Sequence, residues 1–315
     1  ALPILSNFSW SYIFWINVPV GLVTILIGEK FLPKDITKTK EKIDFPGFAC
    51  IAIAIMTFFG GIFLGQESGF GSLQSYLLFI IAVIALGLFI MVERKRKSPL
   101  IKFAIFKNKI FTLSLLSAVL IFASNFFVNV VIPFYLQDAR KLSASYAGLL
   151  MMVFPLLMVV GAPLSGYLTD KIGPGILTFG GLLLLCCTSL MYMFLDMNSP
   201  IWYYVIATAI MGLGNALFQS PNNTMVMSSV EKQDLGVAGS MNSFARNLGM
   251  VIGIALSTTI LYRGMSEAYG ERVTTYLANR PDIFIVGMRE TFFVAFLLCV
   301  AAFILTILRF RKTTK

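Results

Sequence analysis

Apolar residues run along this chain in stretches of about twenty, and short polar or charged segments separate them. Continuous stretches of this length predict membrane-spanning helices, because a helix needs about twenty apolar residues to cross the hydrocarbon core. Strands that cross a membrane would instead alternate apolar and polar residues. The pattern therefore predicts about nine spanning helices and excludes a membrane β-barrel.

The predicted helices cover, within a few residues, 12–31, 45–65, 73–92, 110–136, 146–168, 175–195, 201–221, 236–262 and 289–310. Pro155 and Pro163 predict kinks in the fifth helix, because proline lacks the N–H donor that the helix needs. Lysines and apolar side chains alternate irregularly over 100–109. This segment fits either a short helix lying in the membrane interface or a solvated basic loop.

Composition agrees with a location in lipid. Hydrophobic residues make up 57% of the 315 residues, charged residues make up 13%, and the mean hydropathy is +0.83. Ordinary soluble domains are less apolar and carry about twice this share of charged residues. The chain 1–315 is therefore predicted to be a single all-α, polytopic transmembrane helix bundle.

The net charge of +10 raises the question of nucleic-acid binding. The basic residues lie in loops and in the C-terminal tail rather than on a folded basic face, so we expect no nucleic-acid partner. If the loops 32–44 and 93–109 face the cytoplasm, about eighteen of the 25 basic residues lie on that side. The positive-inside rule then predicts a multi-pass plasma-membrane protein with a cytoplasmic C-terminus and an extracytoplasmic loop at 263–287.

Candidate chemistry for an enzyme is sparse. The chain has no histidine, its four cysteines lie inside apolar runs, and its fifteen acidic residues lie in loops or near helix ends. The chain therefore does not supply the side chains that transition-metal sites and histidine-based acid–base catalysis usually need. We expect no catalytic residue, metal site, cofactor or disulfide framework, and we find no obvious buried carboxylate.

The stretch 211–261 predicts two helices joined by a short charged loop, and its second helix carries a regular stripe of small residues. Ala245, Gly249, Gly253 and Ser257 follow one another at a spacing of four. Residues at this spacing share one face of a helix, and small side chains let a neighbouring backbone approach closely. The stripe predicts tight helix packing.

Several polar side chains interrupt the apolar helices. They are Asn125, Asn129, Asn215, Gln219, Asn222, Asn223, Asn242 and Arg246. An unpaired polar group costs several kcal/mol in lipid, so these residues face other helices or water. Two interpretations stay open, since such side chains either join helices by hydrogen bonds or line a substrate path.

Arg246 has two interpretations of its own. In one, it lies deep in its helix and pairs with a carboxylate or a carbonyl during a transport cycle. In the other, the start of the helix extends into the cytosol and Arg246 reaches the membrane interface with its long side chain.

The turn between the fifth and sixth predicted helices contains Gly166, Asp170, Lys171 and Gly173. The glycines permit a tight reverse turn, and Asp170 is predicted to cap the following helix and to pair with Lys171 or another cation. Such a charge-capped turn can lock one conformation of a moving bundle. The simpler alternative is an ordinary helix hairpin that needs glycine.

Three motifs carry a resemblance to a known family. Gly166, Leu168, Asp170, Lys171 and Gly173 match the G-x-L-x-D-R/K-x-G loop that resembles the signature of the major facilitator superfamily. The segment WSYIFWINVPVG, with Asn17, Pro19 and Gly21, resembles the start of the sixth helix in the fourteen-helix drug:proton antiporters, the EmrB/QacA-like branch. The run from Gly236 to Gly253, with Asn242 and Arg246, resembles a central run of the same branch.

The resemblance implies that the chain is the C-terminal nine helices of such an antiporter, so that about five preceding helices of the same protein are absent from it. It also implies export of small lipophilic or cationic compounds from a bacterial cell by alternating access, with the proton gradient as the energy source and no cofactor. Asn17, Pro19, Gly21, Gly249 and Gly253 would then serve helix packing. The alternatives are a permease of the same superfamily for another small solute, and a membrane scaffold that transports nothing.

Overall fold

The computed structural model describes residues 15, 17–31, 44–68, 72–95, 103–277 and 280–310. Ten α-helices account for most of them, and these residues contain no strand. The helices are α1 (Asn17–Phe31), α2 (Phe45–Ser68), α3 (Leu73–Lys95), α4 (Lys109–Phe134), α5 (Ala144–Met151), α6 (Val153–Ile172), α7 (Pro174–Met193), α8 (Ile201–Ser228), α9 (Leu235–Tyr269) and α10 (Pro281–Phe310). The predicted all-α fold is confirmed.

Eight helical segments of the described part are long and apolar enough to cross a membrane. They are α2, α3, α4 with its extension, α5 and α6 together, α7, α8, α9 and α10. The first predicted helix, 12–31, is described only in part, since α1 begins at Asn17. The chain is therefore a multi-pass membrane protein. The first three residues of the segment 100–109 lie outside the described part, and a short 3-10 helix follows at Phe103–Lys107.

The six spans from α4 to α10 form one bundle. Helix α4 packs along α9 and α10, and α8 packs between α6 and α7. Helix α10 also contacts α7, which joins the two groups of helices. Large side chains such as Phe127, Tyr192, Phe218 and Phe292 are buried in a continuous apolar core. This core holds the helices that carry the predicted polar residues in one rigid unit.

The small-residue stripe of α9 lies against α4. Ala245, Gly249, Gly253 and Ser257 are all buried. A β-carbon added at Gly249 would lie 2.5 Å from the carbonyl oxygen of Val119, and one added at Gly253 would overlap the carbonyl oxygen of Ala123. The two backbones therefore touch directly, and close van der Waals packing of this kind drives helix association in lipid.

Helices α2 and α3 form a hairpin beside the bundle. Ser75 at the start of α3 donates a hydrogen bond to the carbonyl oxygen of Gly61 at 2.7 Å, and Phe79 lies over the same glycine. The hairpin contacts α9 over a short stretch. Of the described residues of α1, none is buried. Asn17 and Pro19 are exposed and the space around Gly21 is open, so their role in helix packing stays a prediction.

Several helix limits differ from the hydropathy pattern. The fifth predicted span is broken at Met152, three residues before Pro155, because Pro155 cannot donate to the carbonyl oxygen of Met151. Helix α9 continues to Tyr269 and α10 begins at Pro281, so the connection is shorter than the predicted 263–287. The added turn of α9 is polar, and Arg263 pairs with Glu267 at 2.7 Å along it. The apolar stretch ends before this polar turn, so the hydropathy pattern places the end of the helix too early.

The end of α4 is anchored to the connection between α7 and α8. After Pro133, the helix widens into a π-helical turn, Tyr135–Ala139. The Tyr135 hydroxyl donates to the carbonyl oxygen of Asp196 at 2.7 Å, and Arg140 donates to the carbonyl oxygen of Ser199 at 2.6 Å. The pKa of Asp196 is lowered mainly because the backbone N–H of Asn198 donates to its carboxylate. This end of the bundle is thus fixed by hydrogen bonds to a short loop.

Candidate functional site

Two of the predicted polar residues form a buried pair between α4 and α8. Asn125 donates to the side-chain oxygen of Asn215 at 2.5 Å, and Asn215 donates back at 3.1 Å. Asn215 also donates to the carbonyl oxygen of Met211, and the more exposed Asn129 donates to the carbonyl oxygen of Asn125. Both paired amides are buried, so the pair joins two helices by hydrogen bonds.

A second buried group joins α4, α8 and α10. Arg309 is only 1% exposed, and its Nη1 atom donates to the Ser114 hydroxyl at 2.8 Å and to the Asn222 side-chain oxygen at 3.1 Å. The Asn222 amide donates in turn to the carbonyl oxygen of Ser114 at 3.3 Å. Asn222, predicted to line a path, therefore holds three helices together with Arg309.

Arg309 is not among the predicted site residues, because in the sequence it begins the basic C-terminal run RFRKTTK. The spacing along α10 could have indicated that Arg309 is buried. Arg309 lies three residues after Thr306 and seven after Ala302, and both of these residues are fully buried. Residues three or seven apart share a helix face, so the pattern places Arg309 inside the bundle.

The remaining predicted polar residues are less buried. Asn242 of α9 donates to the side-chain oxygen of Asn223 of α8 at 2.8 Å, and both are half-buried. Gln219 lies one turn before Asn223 and is also half-buried. Arg246 lies one turn after Asn242, is exposed, and places its guanidinium carbon 5.9 Å from the centre of the Phe122 ring. We call Asn129, Gln219, Asn223, Asn242 and Arg246 the open polar set.

A shallow hollow of about 710 Å³ lies where the end of α8 meets the start of α9. Its lining combines methionine, leucine and phenylalanine side chains with serine hydroxyls and an amide. The lining residues are Met227, Leu235, Gly236, Gly239, Ser240, Ser243, Phe244 and Asn247. It lies on the same two helices as Asn223 and Asn242, so apolar and polar surfaces adjoin there.

The turn between α6 and α7 is tight, as its glycines predict. Gly173 has φ +84, a conformation that other residues rarely adopt, and Pro174 begins α7 directly after it. The Lys171 ammonium lies 4.5 Å from the centre of the Tyr167 ring. The predicted capping by Asp170 is wrong, because Asp170 belongs to the last turn of α6 and no side chain caps α7. Gly166 lies near Ser220 of α8.

Two buried carboxylates were also missed, and the expectation of no buried carboxylate needs correction. Asp44 and Glu93 are 4% and 2% exposed. Asp44 accepts a hydrogen bond from the backbone N–H of Gly47 at 3.0 Å and so caps α2. A β-carbon added at Gly47 would lie 2.8 Å from Asp44 and 2.9 Å from Glu93, so both carboxylates converge on this glycine. Both carboxylates lie at one end of the hairpin. The pattern of apolar runs predicts loops there, so it gives no sign that these residues are buried.

Sequence comparison matches the chain to the Major Facilitator Superfamily over residues 2–254 and 114–315. Riboflavin transporter RibZ of Clostridioides difficile (strain 630) is 30% identical over 313 residues, which cover 99% of this chain and 66% of that protein. Uncharacterized transporter YebQ of Escherichia coli (strain K12) is 34% identical over 83% of this chain and 57% of that protein. Multidrug transporter protein MdtP of Bacillus subtilis (strain 168) is 27% identical over 88% of this chain and 52% of that protein.

The chain thus spans 52% to 66% of the length of these relatives. The family match covers nearly every residue, and the fold is a bundle of apolar helices long enough to cross a membrane. The chain therefore belongs to the Major Facilitator Superfamily.

Proposed function

We propose that the whole protein is a secondary active multidrug efflux transporter. It exports small lipophilic or cationic compounds in exchange for protons by alternating access, and the proton gradient is its energy source. It acts in a bacterial plasma membrane with its C-terminus in the cytoplasm. A relative that is similar over 88% of this chain is named a multidrug transporter, which supports this assignment.

The main support for the proposal is the exposure of the open polar set. Its members belong to helices apolar enough to span a membrane, yet Asn129 and Arg246 are exposed and Asn223 and Asn242 are only half-buried. Polar side chains facing lipid would cost several kcal/mol each. These side chains therefore border water or another part of the protein, as expected of residues that line a substrate path.

We further propose that the chain is the C-terminal nine-helix part of a fourteen-helix drug:proton antiporter. The preceding helices of the same protein would then supply the second bundle of a rocking pair. Its share of the relatives' lengths, 52% to 66%, supports this arrangement. The turn with Gly166, Asp170, Lys171 and Gly173 would act as the gating loop, although its capping contact is not the one predicted.

A second candidate is a permease for another small solute. The relative similar over 99% of this chain is named a riboflavin transporter, so a flavin-sized, planar polar solute is the first alternative. The open polar set serves this function equally well, because amide side chains hydrogen-bond to polar ring systems. The two candidate functions differ in the solute that the open polar set contacts. Transport measurements with both classes of solute distinguish them.

The test measures ethidium and several other cationic dyes in energised cells that express the full-length protein. Multidrug export predicts energy-dependent efflux that a protonophore abolishes, together with substrate-induced proton release from everted vesicles. Riboflavin is tested in the same assays. Proton release with riboflavin alone would favour the permease, and no energy-dependent efflux of any dye would contradict the multidrug assignment.

Matched variants connect transport with the open polar set. Arg246→Ala and Asn129→Leu are expected to reduce efflux at least tenfold, a factor equivalent to about 1.4 kcal/mol of lost stabilisation. Arg246→Lys keeps the positive charge and is expected to retain part of the activity. Equal expression of all three in the membrane is the control. A membrane scaffold would tolerate these changes without functional loss.

A further inference from the structure

The 3-10 turn Phe103–Lys107 lies immediately before α4, at the edge of a membrane-spanning segment. That span begins at Lys109, and the Asn108 side chain caps it by accepting hydrogen bonds from backbone N–H groups of its first turn. In the sequence, the segment 100–109 fits either an interfacial helix or a solvated basic loop. The contacts of the turn distinguish these two interpretations.

Hydrogen bonds and apolar packing hold the turn against the bundle. The Asn108 amide donates to the carbonyl oxygen of Ser229, just after α8, at 2.6 Å. The Thr112 hydroxyl donates to the carbonyl oxygen of Phe106 at 2.8 Å. Ile105 packs against a buried apolar cluster of α4, α8 and α9. The turn is therefore a fixed part of the bundle surface rather than a solvated loop.

The outward side of the turn combines an aromatic ring with two lysines. Phe106 is 37% exposed, and its ring centre lies 5.6 Å from that of Phe111. Lys107 and Lys109 are exposed, and neither forms an ion pair with another residue that the structure describes. An aromatic ring beside lysines is typical of a segment that lies between water and lipid.

An apolar stripe leads away from Lys109 along α4. Leu113, Leu116 and Leu120 follow Lys109 at spacings of four, three and four, so the four side chains share one face of the helix. Leu116 is 47% exposed, and the other two leucines are half-buried. This face therefore presents an ammonium group at the membrane surface and apolar side chains beyond it. A phospholipid has the complementary layout, with a charged headgroup above its acyl chains.

We propose that Lys107, Lys109 and the leucine stripe of α4 form a binding site for an anionic phospholipid. The two ammonium groups donate hydrogen bonds to its phosphate, and an acyl chain lies along the stripe. A zwitterionic lipid also carries a phosphate, but its own cationic group is repelled by the lysines. Charge therefore selects an anionic headgroup. The site shares no residue with the open polar set.

Quenching of tryptophan fluorescence tests the site. In the full-length protein, with its own tryptophans replaced by phenylalanine, Phe106→Trp places a single fluorophore at the turn. The protein is reconstituted in mixtures of phosphatidylglycerol and phosphatidylcholine, one of which carries brominated chains that quench a nearby tryptophan. A lysine near an anionic surface favours binding about fivefold, so we expect quenching to show a preference for phosphatidylglycerol of about fivefold or more.

The lysines are tested in the same background. Lys107→Gln combined with Lys109→Gln is expected to abolish the preference. Lys232→Gln is the matched control, because it removes an exposed lysine from the loop before α9, and it is expected to leave the preference unchanged. Equal quenching by both lipids when the lysines are intact would overturn the proposal. An unchanged preference in the double variant, or an equal loss in the control, would also overturn it.

Lipid cross-linking of the unaltered protein makes the test independent of how the variants fold. Phosphatidylglycerol and phosphatidylcholine, each with a photoactivatable headgroup, are compared in the same bilayers. After irradiation and proteolysis, more phosphatidylglycerol than phosphatidylcholine is expected on the peptide that contains Lys107 and Lys109. Phosphatidylglycerol on other peptides alone would contradict the assignment. Neither experiment measures transport, so the result is independent of the proposed efflux.

Discussion

The bundle α4–α10 and the helices before it are held together by different means. In the bundle, backbones touch through Gly249 and Gly253, and buried amides and a buried arginine join helices that are distant in sequence. In the described part of the hairpin α2–α3, Ser75 donates a hydrogen bond to Gly61, and apolar side chains such as Phe58 and Phe79 are in contact. The bundle is therefore a densely connected unit, whereas the hairpin lies beside it and contacts α9 only over a short stretch.

The largest effect is expected from Arg309→Ala in the full-length protein. It removes two hydrogen bonds from a charged donor and leaves their acceptors inside the bundle. Bonds to charged groups contribute about 1.5–3 kcal/mol each, so we expect a loss of about 3 kcal/mol and a clearly lower melting temperature. Arg263→Ala is the matched control, because it removes an exposed ion pair with Glu267, and water screens such a pair so that its loss changes the stability little. Equal melting temperatures for the two variants would refute the structural role of Arg309.

A smaller effect is expected from Gly253→Ala. The added methyl group would press against the backbone of Ala123, and overpacking of this kind costs about 1–3 kcal/mol. At Gly236, also on α9, an added methyl group meets open space. Gly236→Ala should therefore leave the melting temperature unchanged or slightly raised. If both variants melt alike, α9 and α4 are not in backbone contact.

The pair Asn125–Asn215 is expected to show a coupling of about 1 kcal/mol in a double-mutant cycle with alanine. The half-buried pair Asn223–Asn242 is the comparison, because water competes for its hydrogen bond of 2.8 Å. We expect a coupling of about 0.5 kcal/mol or less there. Thermal unfolding of the single and double variants gives both values. A stronger coupling in the half-buried pair would reverse the proposed division between buried and open residues.

The smallest effect on the bundle is expected from Ser75→Ala. Loss of the hydrogen bond to Gly61 weakens the hairpin by about 1 kcal/mol. Hydrogen exchange should therefore speed up in α2 and α3 and stay unchanged in α4 to α10. Faster exchange throughout the protein would show that the hairpin and the bundle unfold together.

Much of the fold could be predicted from the sequence, because apolar runs of membrane length determine where helices lie. The spacing of Gly249 and Gly253 also predicted a close helix contact without naming its partner, α4. Helix ends were less predictable. The polar turn that contains Arg263 and Glu267 continues α9, and a hydropathy pattern cannot register a helix beyond its apolar part.

The sequence identifies which polar residues belong to the site, but it does not show which of them form hydrogen bonds with one another. The sequence marks Asn125, Asn215 and Asn222 as polar residues in apolar helices, yet their partners lie about 90 residues or more away in the chain. Arg309, Asp44 and Glu93 were missed because each lies near a helix end, where charge is ordinarily solvated. Only the tertiary structure shows that these ends are buried.

We infer that the buried polar residues only join helices, whereas the residues of the open polar set border water. Single cysteines at Asn129, Asn242 and Arg246, in a full-length protein whose own cysteines are replaced by alanine, test it directly. A membrane-impermeant maleimide is applied to right-side-out and inside-out vesicles. Asn215→Cys serves as the buried comparison, and Leu183→Cys, exposed on the outer side of α7, as the apolar one.

We expect labelling of Asn129→Cys, Asn242→Cys and Arg246→Cys from at least one side of the membrane, with little labelling of Asn215→Cys and Leu183→Cys. Protection of all three open positions from both sides, or labelling of Asn215→Cys at the same rate, would contradict it.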